Sequence, residues 1–148
     1  MSFASFNSIR MAMITAAAVI AMIMPASAED VNGVWAMTDG KVTVKIARCG
    51  GNLCAKIVGL KEPISKIDGK PKVDRENPNA SLRKRPLIGL DILLGMKPAK
   101  SGVWKGQIYN ADDGKTYNAM LTQSGNKISL KACVAAVFCK TSNFVRAN

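Results

Sequence analysis

The sequence predicts an all-β protein: an eight-stranded antiparallel up-and-down barrel with one long loop or short helix between strands 3 and 4. Three observations predict it. From Val31 onward, apolar and polar residues alternate with a period of two, as in strands that bury one face. Turn residues recur at short intervals, as between the strands of hairpins, and no long segment has a helical period. Closure into a barrel removes exposed sheet edges, and an open two-sheet sandwich is the alternative.

The first 28 residues have the three zones of a cleavable signal peptide. A polar start whose only charge is Arg10 precedes an apolar run over 11–24, and small residues then lead to a cleavage site before Glu29. A membrane anchor is the alternative, but a bilayer span needs about 20 apolar residues, more than this run offers. We expect an exported protein, periplasmic or secreted and not integral to the membrane, with residues 29–148 as a single barrel domain.

The second predicted strand shows the alternation most clearly, because Val42, Val44 and Ile46 are separated by polar residues. Gly40 before this strand and Gly50 after it tolerate the positive φ of tight turns. The same criteria predict eight strands, over residues 31–37, 42–46, 53–60, 87–96, 103–110, 115–122, 127–132 and 138–146.

Residues 61–86 interrupt this pattern. The segment is polar and contains four prolines, eight basic and four acidic residues. Asn77 followed by Pro78 is typical of a helix cap and first helical position, so we predict a short helix over residues 78–84. A connection of this length in a small domain is usually functional or mobile, and here it can cap one end of the barrel.

All four cysteines lie after the predicted cleavage site. An even number of cysteines in an exported chain indicates disulfides, because the compartment is oxidising. A four-thiolate zinc site is the alternative, but four and five intervening residues are looser than usual zinc-ligand spacing. Three pairings are possible; we favour Cys49 with Cys54 and Cys133 with Cys139, because each pair flanks a predicted tight turn.

The composition argues against an enzyme. The chain contains no histidine, which excludes Ser-His-Asp and Cys-His catalysis and removes the commonest metal ligand. Oxidised cysteines are not nucleophiles. Asp39, Asp112 and Asp113 lie in predicted turns, where aspartate bonds its own backbone. We therefore predict no catalytic residues, no cofactor and no metal.

The chain is strongly basic. Without the first 28 residues it has 20 basic and 10 acidic residues, a net charge of +10. This charge favours anionic neighbours such as an envelope component or an acidic protein, although it can also serve solubility alone. Nucleic acid is disfavoured by the expected location and by the few aromatic residues available for stacking.

Four candidate ligand-binding residues lie in the long segment: Asp74, Asn77, Arg83 and Arg85. The two arginines can bind a carboxylate or phosphate at a barrel mouth. Alternatively, Asp74 pairs with one of them and fixes the loop.

Three further candidates lie beyond this segment. By period two, Asp91 shares a face with Leu93 and points either to solvent or into a cavity, where it would need a basic partner. Trp104 and Tyr109, on the predicted fifth strand, complete the set of candidate ligand-binding residues.

A structural role is predicted for Gly33, Trp35 and Arg146. The glycine lets the chain bend close to the barrel floor, and the indole plugs the closed end. Because the first and last strands are neighbours in a closed barrel, the guanidinium of Arg146 can lie on that indole.

Taken together, these motifs resemble the bacterial family known as domain of unknown function 2147, over residues 33–146. The resemblance rests on a set of motifs in this order: Gly33-x-Trp35, Asp39-Gly40, Cys49-Gly50-x-x-Leu53-Cys54, Asp74-x-x-Asn77-Pro78, Arg85-Pro86-Leu87-Ile88-Gly89-Leu90, Trp104-x-Gly106-x-Ile108-Tyr109, Gly114-Lys115-Thr116-Tyr117 and the stretch 138–146. It implies exported proteins with a lipocalin-like β-barrel and no established activity. We expect the family to carry tryptophan where this chain has Phe144.

The leading functional hypothesis is a periplasmic barrel that binds a small apolar or amphipathic ligand. The lumen would hold the apolar part, and the basic loop over residues 61–85 would hold an anionic head. Eight strands leave either a filled interior or room for one small ligand. The alternative is an envelope interaction protein whose basic surface binds an anionic surface or a partner protein.

Overall fold

The computed structural model describes residues 30–147, which form a closed antiparallel barrel of eight strands in sequence order. The strands are β1 (Gly33–Met37), β2 (Val42–Cys49), β3 (Asn52–Leu60), β4 (Asp91–Lys100), β5 (Val103–Asn110), β6 (Lys115–Ser124), β7 (Lys127–Val134) and β8 (Phe138–Arg146). The predicted barrel is confirmed and the alternative, an open two-sheet sandwich, is wrong. β1 pairs with β8 and closes the sheet, with Trp35 opposite Arg146. The predicted signal peptide lies outside the described residues.

The strands alternate in direction, so their connections divide between the two ends of the barrel. One end, here the closed end, has the start of β1 and the turns at 50–51, 101–102 and 125–126. The other end, here the mouth, has the turns at 38–41, 111–114 and 135–137 and the long loop of residues 61–90. The long loop therefore lies at the mouth, beside three short turns.

The interior is apolar because the predicted period-two pattern places alternate side chains inside. Val44 and Ile46 are buried while Lys45 between them is exposed. Trp35 is completely buried, and its indole N–H donates a 2.9 Å hydrogen bond to the backbone carbonyl of Val31 at the closed end. The core cluster contains side chains from every strand, so the barrel has one continuous core.

The fourth strand differs from its predicted position, because β4 begins at Asp91 rather than at residue 87. Leu87 is instead part of the long loop, and its N–H donates a hydrogen bond to the carbonyl of Lys72 within the same loop. The alternation also fails within β4: Ile92 and Leu93 are both buried, and the pairing with β3 shifts register here. Asp91 therefore does not share a face with Leu93.

The end of the fourth strand is also later than predicted. β4 continues beyond the predicted strand end at residue 96 to Lys100, and Pro98 lies opposite Trp104 of β5. The β3–β4 pairing ends at Met96, so the missing N–H of Pro98 interrupts no hydrogen bond to β3.

The predicted helix over residues 78–84 is reduced to one 3₁₀ turn, Ala80–Leu82. Its cap is Asn79, whose side-chain oxygen accepts a 3.0 Å hydrogen bond from the N–H of Ser81. Asn77 does not cap this turn: its side-chain oxygen accepts a 2.9 Å hydrogen bond from the N–H of Asn79, before the turn begins, while its amide group donates to Asp74.

Two disulfides staple two of the hairpins. Cys49–Cys54 links β2 to β3 at the closed end, and Cys133–Cys139 links directly opposite residues of β7 and β8 near the mouth. This is the pairing that the sequence favoured. Within residues 30–147, no three His, Cys, Asp or Glu side chains gather where they could hold a metal ion. No helix in the described chain is long and apolar enough to cross a membrane.

Candidate functional site

An apolar cavity of about 210 Å³ opens at the mouth and occupies the adjacent half of the lumen. Its walls include Val44, Ile57, Ile92 and Phe144. Nearer the closed end the lumen is filled, and the remaining gap is only about 10 Å³. An apolar cavity of about 150 Å³ can hold benzene, so this lumen has room for roughly six to ten non-hydrogen atoms.

Four polar residues lie among those that line the cavity: Asn110, Asp112, Lys140 and Ser142. Lys140 is the one cation in this described lining. On β8, Lys140 and Ser142 have the same parity as the buried Phe144, so they lie on the side of the strand that faces the lumen. An amphipathic ligand in this cavity would therefore contact apolar walls inside and one ammonium group at the rim.

The long loop is anchored to the barrel by a buried polar cluster around Asp74. Tyr109 Oη donates a 2.6 Å hydrogen bond to Asp74 Oδ1, and Arg85 contacts Asp74 Oδ2 through Nε at 2.8 Å and Nη2 at 2.7 Å. The side-chain amide of Asn77 donates to Asp74 Oδ2 at 2.8 Å and to Tyr109 Oη at 3.0 Å. Asp74 is completely buried, and both its carboxylate oxygens have donors.

These contacts set the protonation of the cluster. Burial alone would raise the pKa of Asp74, but hydrogen bonds from Tyr109, Asn77 and Arg85 outweigh it and hold that pKa below its usual range. Burial, and then the bond to Asp74, raise the pKa of Tyr109. The cluster is therefore an ionised carboxylate held by a protonated phenol and a guanidinium, with no proton ready for transfer near neutral pH.

Tyr109 connects the anchored loop to the cavity. Its ring lines the cavity while its hydroxyl holds Asp74. Of the long loop's own residues, Leu87 contributes to the described cavity wall. Neither Arg83 nor Arg85 is among the lining residues: Arg83 Nε donates to the backbone carbonyl of Asn77 at 2.7 Å, and Arg85 is paired with Asp74. The observed geometry is thus the alternative in which Asp74 pairs with an arginine and fixes the loop.

The other two candidate ligand-binding residues lie elsewhere. Asp91 is exposed on the outer surface and forms a 2.9 Å ion pair with Lys56. Trp104 is buried in the core at the closed end, beside a solvent-open groove of about 870 Å³ whose wall includes Arg48 and Lys100. Trp104 and Tyr109 are near opposite ends of β5, about 17 Å apart along the strand. The groove is larger than the lumen cavity but polar and open, so it encloses a ligand less well.

Gly33, Trp35 and Arg146 meet at the closed end. The Arg146 guanidinium carbon is 4.3 Å from the centroid of the Trp35 ring, and Nη2 donates a 2.7 Å hydrogen bond to the carbonyl of Asp30. Gly33 has φ +137°, and a Cβ there would be 2.8 Å from Arg146 Nη1. A larger residue at position 33 would therefore displace the arginine that covers the indole.

Sequence reasoning did not identify Tyr117, Lys140 or Ser142, which line the cavity. The period-two pattern of β8 could have identified two of them, because Ser142 and Lys140 lie two and four residues before Phe144 and therefore face the same side of the strand. A lysine at an inward-facing position near a strand end indicates a barrel rim, and the predicted strand over residues 138–146 already places Lys140 near such an end.

The fold is similar to that of a solved structure, protein HP1028 from Helicobacter pylori, which is described as belonging to the lipocalin family. The two share 24% sequence identity with a TM-score of 0.68, over 80% of this chain and 84% of the other. A search of curated proteins gives no match. A family model described as "Uncharacterized protein conserved in bacteria (DUF2147)" matches residues 33–146, so the chain belongs to this bacterial family.

Proposed function

We propose that this protein is an exported, lipocalin-like binding protein, not an enzyme, and that it holds a small apolar or amphipathic molecule in the lumen at the mouth. The observation that carries the proposal is the apolar cavity of about 210 Å³ that opens at the mouth and ends at the filled part of the lumen. Small-molecule sites are typically apolar concavities with a few polar groups at defined positions, and this lumen has that composition.

The size of the cavity limits the ligand. Pockets for drug-sized molecules are about 300–1,000 Å³, so a volume of about 210 Å³ suits a short acyl chain or a single ring. Lys140 at the rim favours an anionic head such as a carboxylate, and Asp112, which also lines the cavity, disfavours a second negative charge on the ligand. The proposed ligand class is therefore a short monoanionic amphiphile.

The export part of the proposal is supported by the N-terminal signal-peptide pattern and by the two disulfides. The periplasm or the extracellular space would keep both disulfides oxidised. The absence of histidine from the whole sequence also supports a binding role over acid–base catalysis.

The proposal is tested on protein exported under its own leader and purified after processing. Native mass spectrometry of this material reports any ligand retained from the cell. Calorimetric titration with octanoate and with 1-octanol then measures binding directly. We expect saturable binding of octanoate, and weaker binding of 1-octanol because it lacks the charge that Lys140 attracts.

A matched pair of variants locates the binding. Ala132 lines the cavity, so Ala132→Phe should fill it and weaken octanoate binding by more than about tenfold. Ala47 is exposed on the outside of β2, so Ala47→Phe adds the same ring without entering the lumen and should bind normally. Absence of saturable binding of both probes, or unchanged binding by Ala132→Phe, would overturn the proposal.

A further inference from the structure

We propose that the hairpin tip, residues 134–138 between β7 and β8, docks on an anionic lipid surface. Three of its large apolar side chains are exposed: Val137 by 78%, Phe138 by 75% and Val134 by 55%. Isolated apolar residues are common on protein surfaces, but a contiguous group on one projecting turn marks an interaction site. Vesicle binding by this tip does not depend on the proposed ligand.

The tip is held in a defined shape. Cys133 and Cys139 are directly opposite each other and joined by a disulfide, and Val134 is paired with Phe138 one step further out. The turn itself spans residues 135–137 and includes Ala135 with φ 44°. The disulfide restrains the two strands beneath the tip. The tip therefore presents its apolar side chains to solvent in a defined shape and loses little conformational freedom on binding.

Charge identifies the partner. Of the five basic side chains in residues 114–147, Lys127 and Arg146 lie at the closed end, whereas Lys115, Lys131 and Lys140 lie toward the mouth. This stretch has no acidic residue, and Asp112 and Asp113 precede it in the turn before β6. Lys131 and Lys140 lie just behind the disulfide on the two strands that carry the tip. Lysines can lay their aliphatic stems along apolar surface and place their ammonium groups among anionic headgroups. A second copy of the chain is a poorer partner, because it would bring the same cations together.

The tip is oriented toward the mouth. Val134 and Phe138 have the same parity as the lumen-facing Ala132 and Lys140, so they extend the inner surface of the barrel beyond its rim. The groove along the tip shares Tyr117, Ala132 and Lys140 with the lumen cavity. Docking through the tip would bring the mouth next to the lipid, so a small amphiphile could move between lipid and lumen without crossing bulk water. This last consequence rests on the proposed function.

The experiment measures co-sedimentation of the exported, processed protein with two kinds of vesicle, one of phosphatidylcholine alone and one of equal parts phosphatidylcholine and phosphatidylglycerol. We expect binding to the anionic vesicles that weakens with added salt. The double variant Val137→Ser/Phe138→Ser should reduce it at least about tenfold, because it removes most of the exposed apolar area of the tip. Lys131→Gln/Lys140→Gln should reduce both the binding and its dependence on salt.

The matched control is Val145→Ser, which removes an exposed apolar residue of β8 at the closed end and should leave vesicle binding unchanged. Wild-type binding by the tip variant, or equal binding to both kinds of vesicle, would overturn the inference. So would a dimer in solution that the tip variant dissociates, without vesicle binding by the wild type. Calorimetry with octanoate in the absence of vesicles tests the lumen separately, so failure of either proposal is visible without the other.

Discussion

The hydroxyl of Tyr109 and the carboxylate of Asp74, 35 residues apart in sequence, are joined by a 2.6 Å hydrogen bond between the barrel wall and the long loop. Arg85 and Asn77 bind the other carboxylate oxygen. A buried carboxylate is tolerated only when its charge and lone pairs are satisfied, and this one has donors on both oxygens. The long loop is thus a fixed part of the mouth, anchored by these polar contacts as well as by the apolar packing of Leu87 and Leu90.

Tyr109→Phe should lower the free energy of unfolding by about 1–3 kcal/mol, because it leaves a buried carboxylate oxygen without its donor. Urea denaturation at neutral pH measures the change. Tyr117→Phe is the matched control: its hydroxyl donates to Asp113 on the exposed surface, and its loss should cost less than about 1 kcal/mol. Equal costs for the two variants would contradict the role assigned to the cluster.

The cluster should also contribute a pH dependence of stability. The folded-state pKa of Asp74 lies below its unfolded value, so its contribution is present above the unfolded pKa and is lost as the pH falls through the folded-state pKa. Because the Tyr109 hydrogen bond helps to lower that pKa, Tyr109→Phe should move the midpoint of this loss to higher pH. Urea denaturation from neutral pH to acid tests this, and an acid profile that differs from wild type only by a constant offset would contradict it.

The strand pattern was largely predictable because the lumen imposes an alternation that can be counted. Val44 and Ile46 lie inside as predicted, and Trp35 meets Arg146 because a closed meander makes the first and last strands neighbours. The prediction fails at β4, where apolar residues occupy both parities around Ile92 and a register shift places consecutive residues inside. Periodicity carries no information about which residue begins such a bulge.

The candidate site was only partly predictable for a related reason. Asp74, Asn77, Arg85 and Tyr109 do come together, but the sequence left open whether the arginine binds a ligand or the aspartate. That choice depends on where an irregular loop lies on the barrel, which is set by tertiary contacts. Lys140 was missed although the predicted strand over residues 138–146 matches β8, because the sequence left open whether the lumen is filled and at which end it is open.

Arg146→Met should destabilise the protein by about 2–3 kcal/mol, because it removes the cation–π contact with Trp35 and the hydrogen bonds to the carbonyls of Asp30 and Asn32. The matched control is Arg75→Met, which breaks an exposed 3.6 Å ion pair with Asp68 and should cost less than about 1 kcal/mol. Thermal and urea unfolding both report the difference. If the two substitutions lower the free energy of unfolding equally, the contacts of Arg146 at the closed end contribute little to stability.

Gly114→Ala should release the long loop from the barrel. A Cβ at residue 114 would overlap the backbone carbonyl of Glu76, whereas the same atom at Gly50 meets nothing within 4 Å. Both glycines have similar positive φ, +69° and +66°, so Gly50→Ala carries the same backbone strain without the collision. Amide hydrogen exchange should therefore speed up in residues 72–87 for Gly114→Ala and not for Gly50→Ala. Equal exchange in the two variants would show that the close approach does not hold the loop.

The two disulfides should contribute similar stability but different function. They close loops of similar length, with sequence separations of 5 and 6, and in the chain-entropy treatment each is worth about 2 kcal/mol. Replacing either pair by serines should therefore lower the free energy of unfolding by a similar amount. Only Cys133→Ser/Cys139→Ser lies beneath the hairpin tip, so only this variant should also weaken vesicle binding. Mass mapping of the exported protein should find no free thiol. If vesicle binding falls equally in both serine variants, the loss comes from general destabilisation and not from the tip.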